Sequence, residues 1–145
     1  MIYFAYGSNM DLNRLRERQI SFEFLGKALL PNYIVKFNKI ASKKTGIGYA
    51  NIVYSSGVFV EGILYRIDNI EVLDNYEGYP NHYEKRSIEV LLNNAPIEAV
   101  VYVALDEKIN NNLKPERAYL NRLLNAKEHL SEHYFNKLKN TQTID

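Results

Sequence analysis

Of the side chains in this sequence that could do chemistry, Glu77 has the most suggestive neighbours. Ile70, Leu73 and Glu77 fall at i, i+3 and i+7, which on a helix puts the carboxylate on the stripe that should face the core. Burial there raises a carboxyl pKa and suits the group to taking and returning a proton near neutral pH. The competing reading places Glu77 on a frayed last turn in water. A second candidate is the run Tyr3, Phe4, Ala5, Tyr6, Gly7, Ser8, Asn9, Met10, where an aromatic, strand-like stretch stops at a glycine and polar helix-starting residues follow. A strand-to-helix junction of this kind leaves backbone N–H groups pointing outward, a natural seat for an anion or a developing oxyanion. The plainer account makes Gly7 a turn glycine and Ser8 or Asn9 an N-cap.

Other reactive types are less well placed. Ser8 as a nucleophile would need a base, but the G-x-S-x-G context is missing and the histidine outside the C-terminal pair is His82. His129, Glu132 and His133 match the H-x-x-E-H pattern of inverted zinc metallopeptidases. Ser131 suggests a helix break inside that pattern and no third ligand is evident, so two surface histidines are the simpler reading. Gly46 and Gly48 are too close together, and too strand-like in setting, to form a dinucleotide loop.

The elements that must position these groups follow from periodicity and punctuation. A short amphipathic helix is expected from about residue 10 to 18, with Met10, Leu12 and Leu15 inward and Arg14, Arg16 and Arg18 facing water. Residues 22–37 read as two strands or one bent strand interrupted at Pro31 and Asn32. Residues 43–46 form a polar loop, and residues 47–54 and 58–67 flank Ser55, Ser56 and Gly57 as a strand, a turn and a return strand covered on both sides. Asp68 and Glu71 form a capping-box pair for a helix over residues 69–77 that ends at Gly78 and Pro80. Residues 83–92 and 97–105 make a hairpin around Asn93, Asn94 and Ala95, its second strand central. Pro115 opens a helix carrying Ala118, Leu120, Leu123 and Leu124, and a last helix starts near Ser131.

Composition bounds the function class. The 145 residues, 46% hydrophobic and 24% charged, suit one ordinary domain spanning residues 1–145. A net charge of +1 without basic clustering argues against nucleic acid as a partner. The absence of cysteine rules out disulfides, a thiolate nucleophile and cysteine-ligated metal. The chain opens on a strand-like run and has no long apolar segment, so a cytoplasmic protein without membrane attachment is expected. A homodimer is compatible with the sequence but not required by it.

Taken in order, the motif at Tyr6, Gly7, Ser8, Asn9 and Met10, then Ala50, Asn51 and Ile52, then Gly62 before Tyr65, then Leu73, Asp74, Glu77, Gly78 and Tyr83, resembles the gamma-glutamylcyclotransferase (AIG2-like) family. Pro115, Tyr119, Leu120, Ala126, Leu130 and Tyr134 are similar to its closing segment, with Asn125 and Ser131 standing where the family commonly has glycine and proline. The resemblance implies an α+β fold, a small, mostly antiparallel barrel with flanking helices. It also implies an enzyme of gamma-glutamyl and glutathione metabolism that cyclises a gamma-glutamyl amino acid or amine to 5-oxoproline and releases the free amine. On the same resemblance Glu77 is the general acid/base, and the amides of Gly7, Ser8, Asn9 and Met10 bind the glutamyl group, holding either the oxyanion or the alpha-carboxylate. Tyr6, Tyr83 and Tyr119 supply pocket walls or hydroxyls, and the partner is a small gamma-glutamyl substrate with no metal and no organic cofactor. Two other readings stay open: a non-catalytic gamma-glutamyl or small-ligand-binding domain, and an amide hydrolase acting through Ser8.

Overall fold

The structure, a computed structural model, describes residues 1–145. Five strands, β1 (Ile2–Ala5), β2 (Phe22–Ile40), β3 (Gly48–Ile67), β4 (Tyr83–Leu92) and β5 (Ala95–Ala104), close into a barrel in the order β1-β3-β2-β4-β5. Every pairing is antiparallel except the contact that closes it, where β1 meets β5 in parallel at Tyr3 and Val100. Helices α1 (Leu12–Glu17), α2 (Ile70–Glu77), α3 (Arg117–Leu124) and α4 (Glu132–Lys139) pack outside it. No helix is long and apolar enough to cross a membrane.

Strand alternation divides the apolar residues between two cores. Phe4, Tyr6, Ala28, Leu30, Ile52, Val60, Leu64, Val90 and Val101 point into the barrel. Their neighbours Tyr3, Ala5, Ile63, Tyr65, Ile67 and Tyr102 point out and meet Met10, Leu15, Leu73, Leu123 and Leu138 from the helical layer. Within residues 58–67, Gly62 to Tyr65 are buried on both faces, as the weak alternation suggested, whereas Phe59 and Arg66 are exposed.

The expected hairpin at Ser55, Ser56 and Gly57 is absent: β3 runs on as one strand of 20 residues. Ser55 to Val58 instead bulge opposite Asn32, since Pro31 pairs with Phe59 while Tyr33 pairs with Tyr54. Asn32 and Gly57 take positive φ, and Asn32 Oδ1 accepts the Gly57 N–H at 3.0 Å. The proline that interrupts β2 and the glycine that suggested a turn in β3 thus bend both strands at the same place. The β4–β5 hairpin turns at Asn93 and Asn94, both with φ above +50°, the requirement of a tight two-residue hairpin.

Three caps differ from expectation. Asn69, not Asp68, caps α2 by accepting the Glu71 N–H, while Asp68 accepts from Ser21 Oγ. Asp11, not Ser8 or Asn9, caps α1, because Ser8–Met10 form a separate 3₁₀ turn first. Pro115 lies before Glu116, the N-cap of α3, and so stands outside the helix it was expected to open. The last helix does begin at Ser131, whose Oγ accepts the Tyr134 N–H. At the C-terminal edge Asn125 ends α3 and its Nδ2 donates to Asp11 Oδ2 at 2.9 Å, tying that edge to the start of α1.

Candidate active site

Antiparallel order brings the C-terminal ends of β1, β2 and β5 and the N-terminal ends of β3 and β4 to one end of the barrel. Every sequence-level candidate except the metal pattern lies there. A cavity of about 410 Å³ opens at this end, of a size that suits a small molecule. Tyr6, Gly7, Ser8, Asn9, Glu77, Tyr83 and Tyr119 all line it.

Glu77 is the last residue of α2, followed by Gly78 in the left-handed conformation that closes the helix. It is not frayed into water: the side chain is 20% exposed, and Oε1 accepts a hydrogen bond from Asn9 Nδ2 at 3.1 Å. Burial raises its pKa above the ordinary carboxylate value, against the opposing pull of Arg18, Arg14 and Lys39 and the Asn9 bond. Asn9 is buried and is the joint between loop and helix. Its Nδ2 also donates to Tyr3 OH, and its Oδ1 accepts from Arg18 Nη1 at 2.9 Å. Arg18 then lies 3.8 Å from Glu77 Oε1 and stacks over the Tyr76 ring.

The loop leaves donors free by its own geometry. Met10 N–H returns to Gly7 O and Asp11 N–H to Ser8 O, whereas the amides of Gly7, Ser8 and Asn9 precede these bonds and are not consumed by them. Met10 therefore leaves the expected donor set: its amide is spent on the turn and its side chain is wholly buried in the outer core. Ser8 is buried too, and no histidine or carboxylate is hydrogen-bonded to its hydroxyl. Gly7 is tightly enclosed, since a Cβ there would stand 3.3 Å from Ala50 Cβ and 3.4 Å from Tyr119 OH.

The three tyrosines divide by what their hydroxyls already hold. Tyr6 OH donates to Tyr102 O at 2.5 Å and Tyr83 OH to Ala50 O at 2.9 Å, so both present only lone pairs to the cavity. Tyr119 OH instead accepts the Ala50 N–H at 3.0 Å and keeps its own proton to donate. Ala50 thus orients two of the three rings through its backbone alone. Behind them Tyr102 OH donates to Asp74, which also pairs with Lys85 at 2.9 Å.

The sequence missed the cations. Arg14 and Arg18, expected to face water, line the cavity one helical turn apart, and Lys39 joins them from the end of β2. Only the i, i+4 spacing of the two arginines signalled a shared face. His129, by contrast, packs on Phe24 and pairs with Glu128, and Ser131 separates it from Glu132 and His133. The helix that a zinc pattern requires is not formed there.

The family model for gamma-glutamyl cyclotransferase, AIG2-like proteins matches residues 3–121. Among solved structures, the uncharacterized protein loc79017 from Homo sapiens superposes with a TM-score of 0.88 at 27% identity, covering 99% of this chain and 89% of that one. A structure described as gamma-glutamyl cyclotransferase superposes with a TM-score of 0.88 at 26% identity, covering 100% and 89%. YkqA from Bacillus subtilis shares the fold, with a TM-score of 0.84 at 24% identity over 99% of this chain and 55% of that one. No curated protein matches the chain. A family match over residues 3–121, on a barrel of the same architecture, establishes that the chain belongs to the gamma-glutamyl cyclotransferase, AIG2-like family.

Proposed function

We propose that the protein is a gamma-glutamylcyclotransferase. The free alpha-amine of a gamma-glutamyl group attacks its own gamma-carbonyl carbon, the bond from that carbon to the departing nitrogen breaks, and 5-oxoproline and a free amine or amino acid leave. The observation that carries this reading is the meeting, in one cavity, of a desolvated carboxylate at Glu77 with the unspent amides of Gly7, Ser8 and Asn9. Intramolecular attack needs chiefly a folded-back substrate, so positioning supplies much of the rate.

In this mechanism the Glu77 carboxylate takes a proton from the substrate ammonium, freeing the lone pair that forms the new C–N bond. The tetrahedral oxygen gains negative charge, and backbone amides of the loop, with the Tyr119 hydroxyl beside Gly7, are the donors at hand to stabilise it. Glu77 then returns that proton to the departing nitrogen, takes the second proton that the attacking nitrogen sheds as the lactam forms, and passes it to the released amine. Asn9 fixes the carboxylate throughout and is a positioning residue.

A panel of gamma-glutamyl amino acids and amines, with products separated and identified, tests the reading. Release of 5-oxoproline is the expected outcome. Free glutamate would point to hydrolysis, and binding with no product to a ligand-binding domain; either result overturns the proposal.

A further inference from the structure

Lys39 is 4% exposed, and its ammonium meets no carboxylate. Its Nζ donates to His82 Nδ1 at 3.0 Å and lies 5.6 Å from the centre of the Tyr83 ring and 5.9 Å from that of Tyr49. Buried charges are ordinarily paired, so an ammonium held by a neutral ring nitrogen and two π-faces is short of an anion. Arg14 is in the same condition: its Nε is buried without a hydrogen-bond partner, and it too faces the cavity. Arg18, the third cation, is already engaged with Asn9, Glu77 and Tyr76.

The cavity therefore holds two unpaired cations on different elements, with the one carboxylate of the site, Glu77, in the field of both. A gamma-glutamyl amine carries one carboxylate, on the glutamyl half. A gamma-glutamyl amino acid carries two, the second on the group that leaves. Arg14 stands on α1, the helix that directly follows the loop assigned to the glutamyl group. Lys39 comes from a different element, the end of β2, and sits against His82 and Tyr83.

We infer that Lys39, oriented by His82, anchors the carboxylate of the departing amino acid and so selects gamma-glutamyl amino acids over gamma-glutamyl amines. This rests on the cyclotransferase reading above and names its substrate class. Burial lowers the Lys39 pKa to about 8, with Lys108 adding to the shift and Glu77 opposing it. At neutral pH the ammonium still carries most of its charge, and a bound carboxylate would restore the pairing it lacks.

Gamma-glutamylalanine and gamma-glutamylethylamine differ only in the carboxylate of the leaving group, and the ratio of their kcat/KM values isolates it. The wild-type ratio should favour the alanine compound by about thirtyfold or more, the scale of a charge-assisted hydrogen bond. Lys39→Met should bring the ratio near one, and Lys39→Arg, which keeps the charge, should retain most of it. A ratio is independent of the fraction of active protein, so partial loss of folding does not imitate the result. A wild-type ratio near one, with both compounds yielding 5-oxoproline, overturns the anchor and leaves the cyclotransferase reading standing. An unchanged ratio in Lys39→Met does the same. If neither compound yields 5-oxoproline, both fall together.

Discussion

Replacing Glu77 with glutamine separates proton transfer from shape. The amide is close in size to the carboxylate and can still accept the Asn9 Nδ2 hydrogen bond, seen at 3.1 Å, through its own oxygen. What it loses is basicity and the 3.8 Å attraction to Arg18. General acid–base catalysis typically contributes 10² to 10⁴ in rate, about 2.7–5.4 kcal/mol of barrier, so kcat for 5-oxoproline release should fall by at least about a hundredfold. Stability should move the other way. The folded-state pKa of Glu77 lies above its unfolded value, so folding favours the protonated form: that contribution is fully present below the unfolded pKa and is lost as pH rises through the folded one. Wherever Glu77 is ionised, the wild type carries the cost of a desolvated charge and Glu77→Gln does not. Thermal melting should therefore show the variant at least as stable at pH 7, with the difference shrinking as pH falls. Steady-state kinetics alongside the melts decide the matter: a folded Glu77→Gln protein with full turnover would refute the role assigned to this carboxylate.

The neighbouring groups make separable contributions. Arg18→Met removes a cation that favours ionised Glu77, so the Glu77 pKa should rise further and the acid limb of the kcat/KM profile should shift to higher pH. A shift to lower pH, or none, would mean that another group sets that limb. Gly7→Ala drives a Cβ toward Ala50 and the Tyr119 hydroxyl and displaces the amides that follow, and a loss of about tenfold or more in kcat/KM is expected. Ser8→Ala removes a hydroxyl but leaves the backbone donors in place and should cost less than about threefold. The order of these two losses is the readout, and its reversal would return a catalytic part to the Ser8 side chain.

The sequence made Glu77 and the loop legible because each is written locally. A helix with a polar cap at one end, read one residue early at Asp68, and Gly78 at the other fixes which residues share a face, and an aromatic strand broken at Gly7 marks a junction. The hydrogen bonds that join them are not local. Asn9 reaches Glu77 across 68 positions, and Ala50 reaches Tyr119 across 69. The bend at Ser55 to Val58 was misread as a hairpin for the same reason, since a glycine-containing polar triplet reads identically as a turn or as a bulge until the partner strand is known to bend opposite it. Arginines on a six-residue helix are normally assigned to water, and only closure of the barrel shows that Arg14 and Arg18 look into a cavity.

Those cations change what Glu77 can be. Burial alone pushes its pKa upward, toward the protonated form that cannot accept a proton. Arg18, Arg14 and Lys39 pull it back, and the Asn9 hydrogen bond adds to them, yet desolvation remains the larger effect and the net shift is still upward. A base for an alpha-ammonium needs this intermediate condition, ionised before attack and basic enough to hold the proton until the nitrogen leaves. Two of the three cations that set it, Arg14 and Lys39, are also the two without a carboxylate partner, whereas Arg18 lies 3.8 Å from Glu77. On the proposed reaction, the groups that tune the base are the groups left to receive the substrate's negative charge, so Lys39→Met should change not only substrate preference but also the pH at which the Glu77 limb of the rate profile falls.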